Sequence, residues 1–151
     1  MKFFRTFLGI ALIFVIGCAS VTIPSYITDK NPYKRTYYGM YQEVLDATNA
    51  ALKDLGWAVE GQAEPATFER SRVMDANLKQ TLIFTKVRQT SMVLGSRYAR
   101  MNIFVREQVD NQAEVEVRYV TVSSVGFKAM YDYTEDRAVN HILDSIQKKL
   151  E

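Results

Sequence analysis

Arg97-Tyr-Ala-Arg-Met-Asn-Ile-Phe-Val-Arg-Glu107 and, after a short gap, Ala113-Glu-Val-Glu-Val-Arg-Tyr-Val-Thr-Val122 decide the fold. In the first stretch Ala99, Met101, Ile103 and Val105 fall on one side, and Tyr98, Arg100, Asn102, Phe104 and Arg106 on the other. In the second, Val115, Val117, Tyr119 and Thr121 oppose Glu114, Glu116 and Arg118. A period of two places successive side chains on opposite faces of a strand. Antiparallel strands with one covered face show this alternation. Directly opposed residues must point to the same side of a sheet. The inward positions of both stretches carry odd numbers, which excludes a two-residue hairpin at Asp110-Asn111. A loop of three or five residues is required, with Asn111 in the left-handed position. Ile103 then pairs with Val117 and Val105 with Val115. On the outer face Arg106 meets Glu114, and Phe104 meets Glu116.

Working outward, Thr81 to Arg88 reads as another strand and Leu94-Gly95-Ser96 as a turn. Trp57 to Glu60 starts a strand, Gly61 to Ala66 a loop, and Tyr33 to Tyr38, rich in β-formers, a short first strand. Thr67 to Met74 fits an edge strand or an irregular turn, and Gly126 to Tyr133 a last strand or a bend. Two segments carry helical periodicity. Tyr41, Val44, Leu45, Thr48, Ala51, Leu52 and Leu55 form one apolar stripe. It ends at Gly56, suited to a left-handed helix end, with Trp57 folding back as a core anchor. Ala138, Val139, Ile142, Leu143, Ile146 and Leu150 form the other stripe, preceded by a capping-box spacing at Asp132 and Glu135. The expected fold is α+β. It is a two-layer sandwich of four to five antiparallel strands with both helices on one face, in the order β-α-β-β-β-β-α.

The chain has 151 residues, 19 of them basic, 17 acidic and one a cysteine. One cysteine allows no internal disulfide, so packing alone must hold the fold. The single histidine, His141, flanks the apolar stripe of the terminal helix, where a packed or surface role is expected over that of a base or metal ligand. No nucleophile elbow, zinc-binding helix motif or phosphate loop is present. Paired carboxylates such as Asp46 with Asp54, or Glu114 with Glu116, fall on faces expected to be solvated. No catalytic residue, metal or cofactor is therefore expected.

Met1 to Cys18 reads as an export signal: Lys2 and Arg5, an apolar run from Phe7 to Ile16, and the small residue Gly17 before the thiol. The run is about half of the 20 or so apolar residues a spanning helix needs. Val15-Ile16-Gly17-Cys18 resembles the lipobox of bacterial lipoproteins. The resemblance implies a diacylglycerol on the Cys18 sulfur, cleavage that makes Cys18 the first residue, and membrane attachment through these acyl chains. Ala19 and Ser20, with no aspartate beside Cys18, resemble the sorting pattern for the outer membrane, facing the periplasm. In a single-membrane organism the same anchor implies the outer face of the cytoplasmic membrane. Residues 1–17 are thus read as a signal peptide, 18–32 as a lipidated flexible tether and 33–151 as one α+β domain. A flexible chain of the tether's length spans on the order of 20 Å. Loss of Lys2 and Arg5 brings the basic residues level with the acidic ones, which argues against nucleic acid as a partner.

The order strand, helix, strands, helix over Tyr33 to Leu150 is similar to small envelope lipoproteins with helix-grip modules, such as the C-terminal module of BamC. The similarity includes Tyr41-Gln-Glu-Val44 and Leu52-Lys-Asp-Leu-Gly-Trp57. BamC is much longer, with two such domains, so the similarity concerns the fold and does not imply the same function. The expected function is a non-catalytic domain that binds another envelope protein. Two regions are candidates for that contact. One is Met92, Val93 and Leu94, three apolar residues at a turn, which either tuck under a helix or present an apolar tip to a partner or lipid. The other is the outer sheet face, where Arg97, Tyr98, Arg100, Phe104, Arg106 and Arg118 interleave; Tyr and Arg are residue types that anchor interfaces. A groove between helix and sheet, lined by Trp57, Tyr119, Phe127 and Tyr131, is the alternative, for a small ligand or lipid.

Overall fold

A computed structural model of the chain describes residues 22–75, 78–93, 95–125 and 128–151. Cys18, Leu94 and Phe127 lie outside the described residues. The elements are β1 (Tyr33–Tyr38), α1 (Tyr41–Asp54), β2 (Val59–Ala63), β3 (Gln80–Thr85), β4 (Arg88–Met92), β5 (Gly95–Gln108), β6 (Gln112–Val125), β7 (Lys128–Asp132) and α2 (Asp136–Leu150). Two 3-10 turns, Pro65–Thr67 and Arg70–Asp75, occupy the stretch left open between strand and turn.

β5 and β6 form the axis of the sheet in the register set by parity. Ile103 pairs with Val117, Val105 with Val115, Phe104 with Glu116 and Arg106 with Glu114. The turn holds the three residues between Gln108 and Gln112, with Asp110 (φ 62°) and Asn111 (φ 55°) both left-handed. Asp and Asn tolerate this region because their short side chains bond locally.

The sheet is antiparallel with seven strands, more than the expected four to five. The difference arises because β5 and β6, with 14 residues each, outrun their neighbours. β3 and β4 succeed one another along β5, and β1 and β7 along β6. The expected strand from Thr81 is therefore broken. Its register against β5 slips by one residue at Lys86-Val87, so inward parity changes from Ile83 to Thr90 and Met92. β2 likewise runs through the expected loop at Gly61, with a bulge between Val59 and Gly61.

Both helices lie on the odd-numbered face. Tyr37, Val44, Leu52, Ile103, Val117, Val139 and Ile146, each no more than 1% exposed, belong to one core. The Tyr37 hydroxyl, buried with them, donates to the Leu143 carbonyl at 2.7 Å. α1 ends as its sequence demands. Trp57 N–H reaches the Leu52 carbonyl at 2.8 Å and Gly56 N–H the Lys53 carbonyl at 3.1 Å, with Gly56 at φ +74°. These two bonds satisfy carbonyls left free at a helix end and fix Trp57 against the core. The capping box expected at Asp132 does not form. Asp132 is the last residue of β7, its carboxylate accepts the Thr134 N–H at 2.9 Å, and α2 starts after Glu135.

Candidate binding cleft

The even-numbered face of the sheet, expected to be solvated, is covered. Leu82, Val120 and Val122 are fully buried, and Phe104 is 1% exposed. The cover consists of the 3-10 turns and of residues from the stretch read as a free tether. Ile27 is fully buried; its N–H donates to Asn102 Oδ1 at 2.6 Å, and Asn102 Nδ2 donates to the Ser25 carbonyl at 3.1 Å. Tyr26 stacks on Phe68, ring centroids 5.1 Å apart, and Phe68 leans on Phe84 at 5.2 Å. The tether reading is thus corrected for this part: residues 25–27 belong to the folded body.

Beneath this cover lies a web of paired charges. Arg118 donates to Glu116 Oε1 at 2.8 Å, to Glu69 Oε1 at 2.6 Å, and to the Ile27 carbonyl at 3.2 Å. Arg72 donates to Glu69 Oε2 at 2.6 Å and to Glu116 Oε2 at 2.9 Å. Both guanidiniums lie over the Phe104 ring, 4.2 and 4.4 Å from its centroid. The Tyr26 hydroxyl completes the web by donating to Glu69. Burial pushes the Glu69 carboxyl up, but hydrogen bonds from Arg118, Tyr26 and Arg72 outweigh it and hold the group at about 2. Burial, reinforced by Glu69, pushes the Tyr26 hydroxyl up to about 12. Every charge here has a partner, so the web is a clasp holding covering segments to the sheet.

The outer-face docking candidates are relocated accordingly. Phe104 is inside the clasp. Arg100, 7% exposed, donates to the Thr85 carbonyl at 3.0 Å and pairs with Glu60. Neither side chain is presented to a partner. Tyr98 is half-buried on the same face. Arg97 sits on the helix side, as its odd number demanded, and not among the outer-face residues with which it was grouped. Met92 is 40% exposed and faces the helix side beside α2, while Val93 is completely exposed at the tip of the turn.

On the helix side the sheet, the end of α1 and the start of α2 enclose a cleft of about 650 Å³. Its floor is Trp57 and Tyr119, edge-on at 6.3 Å and 81°, with Ala99, Ala138 and Ile142 beside them. Its rim carries Arg88, Arg97, Glu135, His141 and Met92. Arg88 lies 5.4 Å from the Trp57 ring centroid and donates to the Leu55 carbonyl at 3.4 Å, which places a cation at the negative end of α1. Arg97 pairs with Glu135 at 2.5 Å, joining β5 to the start of α2. Burial pushes the Tyr119 hydroxyl up, so it stays neutral at the cleft floor. Of the four expected groove residues, Trp57 and Tyr119 line the cleft. Tyr131 lies on β7 with its hydroxyl on the Thr22 carbonyl at 2.9 Å.

His141 shares the rim with one carboxylate, Glu135, and Arg97 already holds that group. Among the described residues no three His, Cys, Asp or Glu side chains are grouped to hold a metal. Among those residues, too, no helix is long and apolar enough to cross a membrane. The cleft offers aromatic faces, aliphatic surface and two guanidiniums, a set that binds apolar or anionic groups. Sequence reasoning missed Arg88 in this role because the register slip before β4 reverses its inward parity. No protein-family model matches the chain, and no curated protein matches it.

Proposed function

We propose that this chain is a non-catalytic lipoprotein, anchored by acyl chains on Cys18 in the outer membrane facing the periplasm, which binds another envelope protein during envelope assembly or maintenance. Its helix-grip likeness to the C-terminal module of BamC belongs to the same proposal. The observation that carries the binding role is the cleft. Trp57, Tyr119, Arg88 and Arg97 converge on one concave surface, and Trp, Tyr and Arg are the residues through which protein interfaces gain most of their affinity. A segment of a partner that inserts an apolar side chain between Trp57 and Ala138, with a carboxylate toward Arg88, matches this surface.

Ala138→Trp fills the cleft from a half-buried position on α2 while leaving Trp57 and Tyr119 themselves unsubstituted. Cross-linking and recovery of the tagged full chain from detergent-solubilised membranes tests the reading. The wild type is expected to retain one envelope protein, and the variant to lose it by about 10-fold or more, equivalent to about 1.4 kcal/mol. Equal recovery by both contradicts the cleft as the partner site. A second reading is favoured by the cleft volume, which falls within the roughly 300–1,000 Å³ of small-molecule sites. An apolar ligand that co-purifies with the wild type alone selects it.

A further inference from the structure

The path of the N-terminal segment points to how the domain meets the membrane. Asn102 and Arg118, paired across β5 and β6, hold residues 25–27 on the covered face. Tyr131, on β7 opposite Val122, holds the Thr22 carbonyl. From Ile27 back to Thr22 the chain therefore runs toward the end of the sheet where Gly95 pairs with Val125. Cys18 is four residues before Thr22, a reach of at most about 14 Å. The β5–β6 turn at Asp110 lies at the far end of strands 14 residues long, roughly 45 Å away along the sheet. An anchor at Cys18 can come close to the first end and cannot reach the second.

That first end also has the surface a bilayer requires. The tip of the β4–β5 hairpin presents Val93, completely exposed, and Met92 at 40%. β7, returning from the same end, presents Met130 at 50%, Tyr131 at 48% and the exposed cation Lys128. Aliphatic tips flanked by Tyr and Lys suit the boundary between acyl chains and headgroups, where Tyr places its ring in the apolar side and its hydroxyl in the wet one.

We propose that the lipidated leader is a short leash, and that the end of the sheet bearing Val93 and Lys128 rests on the bilayer, with Asp110 pointing away from it. This rests on acylation of Cys18. It leaves the side of the domain, where the cleft lies, for a partner.

Acylation consumes the one native thiol, so an introduced cysteine can be labelled alone. Spin labels at Val93→Cys and Asp110→Cys, both on exposed turn residues, test the orientation. The acylated full chain is reconstituted in vesicles of phosphatidylethanolamine with a minor share of phosphatidylglycerol. The Val93 label is expected to lose access to a water-soluble relaxant several-fold and to gain access to oxygen, while the Asp110 label stays in water. Protein that floats with the vesicles while both labels remain equally water-accessible overturns the orientation and leaves the anchor standing. Protein that does not float overturns the anchor itself. A Val93 label already shielded in the unacylated Cys18→Ser protein, in solution, means that a second copy covers this end, and contradicts the bilayer seat.

Discussion

The Asn102 side chain, fully buried on β5, accepts the backbone N–H of Ile27 at 2.6 Å across 75 residues of sequence. With its own N–H donated to Ser25, this one amide fastens the leader to the middle of the sheet. A buried backbone group left without its partner costs about 1–3 kcal/mol. Asn102→Leu preserves the shape and strands both the Ile27 N–H and the Ser25 carbonyl. The variant is expected to unfold about 2–4 kcal/mol more easily in urea, and to be cut by protease before Tyr33. An unchanged urea midpoint and an uncut leader contradict the latch.

The Arg118–Glu116 pair answers a different question, whether the clasp stabilises or merely satisfies. Arg118 and Glu116 side chains are 6% and 3% exposed. Removing one partner strands a charge, at about 3–5 kcal/mol. Arg118→Met alone is therefore expected to be severely destabilised. Arg118→Met combined with Glu116→Leu is expected to recover most of the loss, because paired burial is close to neutral against an apolar replacement of similar volume. Denaturant midpoints of the two single variants and the double variant measure the coupling. A double-variant loss equal to the sum of the two single losses refutes the clasp as a coupled unit.

Acid reads the same clasp through Glu69. Its carboxyl sits at about 2 in the folded protein against 4.5 as the ordinary value. Below 4.5 the unfolded chain takes up a proton that the folded one refuses, so the pair contributes full stability above that pH. The contribution declines as pH falls from 4.5 toward 2. Melting temperature is expected to drop over that window, and to drop less in Glu69→Gln, which starts lower at neutral pH. Parallel acid profiles for the two proteins contradict the assignment.

Register was legible in the sequence because parity is arithmetic. Once Ile103 and Val117 were placed inside, the three-residue turn and the Arg106–Glu114 pair followed, and they stand at 2.9 Å. Both helical stripes were legible for the same reason. The covered second face was harder. Val120, Val122 and Phe104 share their face with Arg118 and Glu116, so the face mixes apolar and charged residues, and mixed patterning is also what a wet face shows. Its cover comes from residues 25–27 and from 3-10 turns, which have no repeating period to read. The cleft depends on a one-residue slip between β3 and β4, which reverses which side chains face α2. No local propensity at Lys86-Val87 announces that slip.

Intact-mass analysis of the N-terminal peptide from the mature protein tests the central claim, that a folded binding domain is held at a membrane by lipid on Cys18. The account predicts a chain beginning at Cys18, with added mass for a thioether-linked diacylglycerol and, in the fully processed form, a further acyl chain on its amino group. A mature chain that retains Met1 and carries no lipid mass contradicts it.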